Sequence, residues 1–295
     1  MTPAELSCTV ARAVRRAVDE GALRVAVPER VTVERPRPGG RGDYATNAAL
    51  RLAGPAGMPP RVVAEALRQR IAGMRGIERV EITGPGFLNF TLVPEGAGAV
   101  VRAVLGQSAR YGRGTAPGGP AWQAPVLAPA HVARLGADAA RWDALLGGGE
   151  QLLVRREGNP LFRVQYAYAR SRALLRNADD LGFRAAYEHG IEQEAAVPAL
   201  VAALADHPAF VEAVEVEAVE EADEAPRADS GAARRLARHL VTVADAFLEF
   251  HVTVLPVGDE KPSAAHRSRL ALAEAAGTVL AGGLALLGIC APEHI

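Results

Sequence analysis

In the stretch TGPGFLNFTL, residues 83–92, two side chains have types that could act on a flat ligand. Side chains alternate across an extended chain, so Leu88, Phe90 and Leu92 share one face while Phe87 and Asn89 share the other. A ring in that position can stack on a nucleobase, and a carboxamide beside it can read the base's edge. The same pair could equally form a second packing surface beneath a helix. Periodicity leaves both readings open.

Elsewhere the residue types for covalent or metal chemistry do not assemble. The seven histidines are scattered, and none lies four positions from another, the spacing of a helical metal site. His189, His207 and His266 are expected at the surface. There is no Gly-x-Ser-x-Gly elbow. Acidic residues gather around 212–224, where solvation is the expected role. Lys261 is the only lysine, and it sits in the turn-like GDEKPS, so the Gly-rich GRGTAPGG has no partner of P-loop type. Cys8 and Cys290 lie near opposite ends, which argues against a zinc site or a disulfide framework and fits a reducing, cytoplasmic setting. Neither a metal nor a cofactor is expected, and a non-enzyme is the leading class.

The chain is globular in composition: 295 residues, 49% hydrophobic and 23% charged, with a net charge of −1. Its arginine-threaded N-terminus does not read as a signal peptide. The longest apolar run, TVLAGGLALLGIC, is too short to span a bilayer.

Several elements must carry these residues. Residues 4–20 predict an amphipathic helix with Leu6, Val10, Val14 and Val18 on one face. LRVAV and VTVE read as short strands. GDYATNAALRLAG reads as a turn followed by a helix, and MPPRVVAEALRQRIAG as a second helix with Val63, Leu67 and Ile71 inward. ERVEITGPGFLNFTLV reads as strand, turn and strand. Together these predict an α+β domain over residues 1–105. A Gly/Pro-rich linker is expected over 106–127 and an all-α helical bundle over 128–295. In the bundle, HVARLGADAARWDALL predicts one short helix. NPLFRVQYAYARSRALLRNA predicts a longer helix with Phe162, Tyr166, Ala169 and Ala173 on one stripe. Leu236, Leu240, Val243, Phe247, Phe250 and Val254 predict a third helix face, and Leu270, Ala273, Gly277, Leu280, Leu284 and Leu287 a fourth. EEADEAPRADSG is expected as a solvated loop.

Five segments in order resemble arginyl-tRNA synthetase. GDYATNAALRLA is similar to the Gly-Asp-Tyr-x-Thr-Asn-x-Ala segment of that family's N-terminal domain, and GPGFLNFTL to its Gly-x-Gly-aromatic-x-Asn-Phe strand. LGADAARWDALL resembles the helix leaving the catalytic domain. NPLFRVQYAYAR resembles the Gln-Tyr-Ala-His-Ala-Arg helix, and the last 27 residues resemble the end of the DALR-type anticodon-binding domain. The resemblance departs in the middle. The family's Rossmann-like catalytic domain, with its His-x-Gly-His motif, is replaced by the short linker. Adenylate formation needs charge stabilisation at the transferring phosphates, which that domain supplies.

The resemblance implies that Phe87 and Asn89 meet an unpaired D-loop base of tRNA, by stacking and edge reading. It implies that Tyr166, Arg170, His251 and the terminal Ile295 receive anticodon-region bases. Three positions depart from the family pattern: its Phe-Tyr pair is Phe250-His251 here, its terminal methionine is Ile295, and its histidine after Gln-Tyr-Ala is Tyr168. Expected partners are therefore tRNA or a protein, and the expected function is non-catalytic RNA binding. A protein-interaction module that has lost RNA, and one part of a split arginine–tRNA ligase, are the alternatives.

Overall fold

The computed structural model describes residues 3–28, 31–34, 36, 41–74, 76–92, 97–112, 127–188, 190–220 and 231–295. The chain divides into two compact units, Met1–Glu95 and Gly96–Ile295, each with its own hydrophobic core.

The first unit is an α+β layer pair. Helix α1 (Pro3–Asp19) buries Leu6, Val10 and Val14 of the predicted face, while at its end Ala17 is buried and Val18 only partly so. Helices α2 (Ala48–Ala56) and α3 (Pro60–Ile71) follow, the latter with Val63, Leu67 and Ile71 fully buried. The sheet contains β1 (Tyr44–Thr46), β2 (Ile77–Thr83) and β3 (Phe87–Leu92), antiparallel in the order β1-β3-β2. LRVAV is not a strand. Leu23 enters the core from irregular chain, and of VTVE only Glu34 makes a single bridge, to Ala45.

The GDYATN segment is a fastening. Gly42 has φ +78°, and a Cβ there would lie 2.6 Å from the Phe90 carbonyl oxygen, so only glycine fits. That oxygen instead accepts the Asp43 N–H at 2.7 Å. Asp43 Oδ2 accepts the Leu92 N–H at 2.8 Å, which ties the start of β1 to the end of β3. The Thr46 hydroxyl donates to Thr32 O at 2.6 Å and accepts the Ala48 N–H at 3.2 Å, linking β1 to α2.

The second unit is all helical. Helix α4 (Ala97–Gln107) packs against α8 (Val197–Glu220) and α10 (Ala264–Leu286), so residues 97–105 belong to this unit and not, as the sequence suggested, to the first. In the region expected as linker, a 3-10 turn, Ser108–Arg110, leads to a buried Tyr111. Residues 113–126 of the expected linker, and 221–230 of the expected acidic loop, lie outside the described residues. The single helix expected from HVARLGADAARWDALL is two, α5 (Pro129–Leu135) and α6 (Ala137–Leu146), broken at Gly136.

Helices α7 (Pro160–Asp180), α9 (Gly231–Phe250) and α10 pack on one another. All six residues of each predicted face of α9 and α10 are buried. Helix α10 is buried on nearly every side, and it approaches its neighbours closely because Gly277 lies against Ser171 and Gly283 against Leu240. By length and composition α8 and α10 could each cross a membrane, which the length of the unbroken apolar run had not suggested; the apolar residues of α10 line the bundle's core.

Two histidines expected at the surface are inside. His266 completes a capping box with Ser263 at the start of α10. His207 is fully enclosed between Tyr111 and His239, and burial, with His239 nearby, pushes its pKa down to about 3. His189 lies outside the described residues.

Candidate nucleic-acid interface

In the first unit the strand register decides which side chains are displayed. Tyr44, Phe90 and Val80 stand abreast, as do Thr46, Leu88 and Ile82, on the side where α2 and α3 pack. The alternate rows, Ala45–Asn89–Glu81 and Phe87–Thr83, therefore project from the opposite face. Phe87 keeps 40% of its surface exposed even though it is a large apolar side chain next to a complete core. Asn89 is more enclosed, at 6%, because it stands on the central strand with neighbours on both sides. Its amide donates to Thr83 Oγ1 at 2.6 Å, a diagonal cross-strand bond that fixes the carboxamide's orientation. Among the described residues its second N–H and its oxygen make no other hydrogen bond, so they are the groups able to meet a base.

In the second unit the candidate residues lie on α7. Asn159 caps it, accepting the Phe162 N–H at 3.1 Å while donating to Leu152 O and Val154 O. The inward face is Leu161, Val164, Ala167, Ser171, Leu174 and Ala178. The stripe predicted to be apolar is thereby corrected: Tyr166 is 38% exposed, and only Ala169 of that stripe is buried. Phe162 and Tyr166, one turn apart, stack with ring centroids 5.7 Å apart. Arg170 is exposed one turn further on, so rings and guanidinium make a ladder along one edge of the helix.

The fold brings His251 to the end of this ladder. It follows α9 directly, its ring 5.9 Å from that of Phe247. Burial depresses its pKa first; the hydrogen bond to Leu248 O opposes that, and the Arg170 charge adds to the depression. His251 is therefore neutral at physiological pH. Its Nδ1 lies 2.7 Å from Leu248 O, which can only accept, so the proton resides on Nδ1 and Nε2 is left as an acceptor. Arg170 supplies the positive charge and His251 a neutral acceptor, a combination suited to a phosphate beside a base amino group.

Ile295 does not join this ladder. The tail it ends is held along the neighbouring face of α7, about 100° round the helix, by Gln165 donating to Cys290 O and by Arg172 and Arg176 pairing with Glu293. Ile295 itself is 44% exposed. The sequence reading also missed Phe162 as part of the display, although its spacing of four from Tyr166 was the available signal.

Comparison with known proteins matches this division. Residues 5–92 match the arginyl tRNA synthetase N-terminal domain, and residues 164–295 match the DALR anticodon binding domain. The chain therefore resembles arginyl-tRNA synthetase in both of those domains, and the catalytic domain is missing from between them. The arginine–tRNA ligase of Frankia alni is 49% identical over 119 residues, which is 40% of this chain and 22% of that enzyme. That of Renibacterium salmoninarum is 46% identical over 119 residues, 39% of this chain and 22% of that enzyme. The chain thus spans about a fifth of the length of these curated relatives. The structure of Thermus thermophilus arginyl-tRNA synthetase matches with a TM-score of 0.54 at 14% identity, over all of both chains, a likeness of fold.

Proposed function

We propose that this chain is a non-catalytic tRNA-binding protein that uses its two units as separate grips. The carrying observation is that each unit keeps an aromatic residue exposed at the position where the resemblance places an RNA contact: Phe87 in the first, Tyr166 beside Arg170 in the second. Large apolar rings left in water at two such positions favour stacking on unpaired bases, the usual way RNA loops are recognised. On this reading Phe87 and Asn89 take a D-loop base, while Tyr166, Arg170 and His251 take the anticodon region, with Ile295 at its margin. The expected setting is the cytoplasm. Binding is salt-dependent, since arginines that neutralise phosphates release counterions.

Titration of tRNA against the wild-type chain, Phe87→Ala and Tyr166→Ala tests this. Each substitution is expected to weaken binding by about 1–3 kcal/mol. Unchanged affinity in both variants would sink the reading. Incubation with arginine, ATP and tRNA is expected to give no arginyl-tRNA; charging that appears only on adding cell extract would instead favour one part of a split ligase. A module for protein partners is the second reading, supported by a net charge of only −1. Recovery of a defined protein and no tRNA from native cells would favour it.

A further inference from the structure

The outer edge of β2 has no strand beside it among the described residues, since β2 is the terminal member of the order β1-β3-β2. Alongside that edge an open groove of about 710 Å³ runs between strand and helix. Its floor is apolar, from Met58, Val62 and Ala66 on the α3 side and Ile82 on β2. Val62 is 47% exposed there. A free strand edge next to an uncovered apolar ledge is an arrangement that a further strand would complete.

The charge pattern of β2 identifies the occupant. Native edges are commonly guarded by charges that repel a second strand. Here Arg79, exposed, and Glu81, half-buried, stand on the outer face of the sheet with opposite signs and flank Val80 symmetrically. Antiparallel pairing of β2 with itself about Val80 places Arg79 opposite Glu81 twice, once on each side of the two-fold axis. The same operation sets Val80 against Val80 on the helix face and Ile82 opposite Glu78 of the copy. Strand and charge are thus self-complementary at the axis, as an isologous contact requires.

We infer that the β2 edge is a self-association surface and that its partner is a second copy of this chain. The dimer has one continuous six-stranded sheet. Both Phe87 rings lie on the same face of that sheet, with the two β3 strands about 14 Å apart across three strand spacings.

Sedimentation equilibrium of the full chain, from low to high micromolar concentration, tests the inference. The average mass is expected to rise towards that of two chains. Arg79→Glu or Glu81→Arg alone sets like charges opposite one another twice, and is expected to weaken association roughly tenfold or more. The double swap, Arg79→Glu with Glu81→Arg, restores opposite signs and is expected to recover the wild-type dimer. A chain that stays monomeric throughout overturns the inference. So does a dimer indifferent to the single reversals, or a double swap as weak as the singles. These outcomes are read without RNA and are independent of the binding proposal.

Discussion

The two displayed rings stand on different kinds of support. Phe87 projects from the central strand of a small sheet, and nearly every motif residue around it is spent on construction: Gly42 against Phe90, Asp43 on Leu92, Thr46 between Thr32 and Ala48. Tyr166 projects from the side of a 21-residue helix whose inward face is an independent row of small and aliphatic residues. Its neighbours Phe162, Arg170 and His251 are therefore free to form the display itself. A sheet this small has little scaffold to spare, whereas a bundle can hold one helix edge in solvent without weakening its core. Substitutions in the first unit's motif should accordingly disturb folding, and those on the α7 edge should disturb binding alone.

Gly42→Ala is the largest expected effect. The new Cβ must displace the Phe90 carbonyl oxygen from 2.6 Å while the residue holds a positive φ. Strain and clash together are expected to cost on the order of 3 kcal/mol. The loss should appear as early urea unfolding of the first unit, with the α-helical signal of the second unchanged. Equal stability of variant and wild type would break the contrast drawn between the units.

The next effect is in the second unit's core and depends on pH. The pKa of His207 is about 3 when folded, depressed by burial, against about 6.5 in the unfolded chain. The unfolded state therefore takes up a proton first. Stability is full above pH 6.5 and is lost as pH falls from there towards 3, by up to about 1.4 kcal/mol per unit. Urea melts at pH 7.5 and pH 5 should show this loss, and His207→Leu should show a flatter dependence. A variant that loses as much as the wild type would place the sensitivity elsewhere.

The contrast between units also governs what could be read from residue order. The β2–β3 hairpin was legible because alternation and Gly-Pro-Gly both act locally, and the faces of α9 and α10 because long periodic runs bury a continuous stripe. LRVAV misled because short β-branched runs pack equally well as irregular chain beneath a helix. Tyr166 and Phe162 were placed on a single apolar stripe, but α7 is rotated so that smaller residues face inward. Which edge of a helix meets its neighbours is decided by those neighbours. Phe87 and Asn89 were legible as a pair, but the unequal exposure of ring and amide depends on cross-strand partners that sequence spacing does not reveal. The interior place of His207 had no local mark at all.

Helix α8 runs through Pro208, and this yields the smallest and most specific prediction. Proline has no N–H to give the carbonyl four residues back. That carbonyl belongs to Leu204, and it accepts the Tyr111 hydroxyl at 3.1 Å from 93 residues away in sequence. The next residue, Gly112, lies so close to Pro208 that a Cβ would come within 2.7 Å of its Cα. The helix thus continues through a proline because a distant side chain satisfies the orphaned acceptor. Tyr111→Phe should destabilise the second unit by about 1 kcal/mol, the usual worth of such a bond. In the Pro208→Ala background, residue 208 can donate its own N–H to Leu204, and the same tyrosine change should cost much less. The two substitutions are therefore expected to couple in a double-mutant cycle. Additive costs would mean that the hydroxyl serves something other than the acceptor left by Pro208.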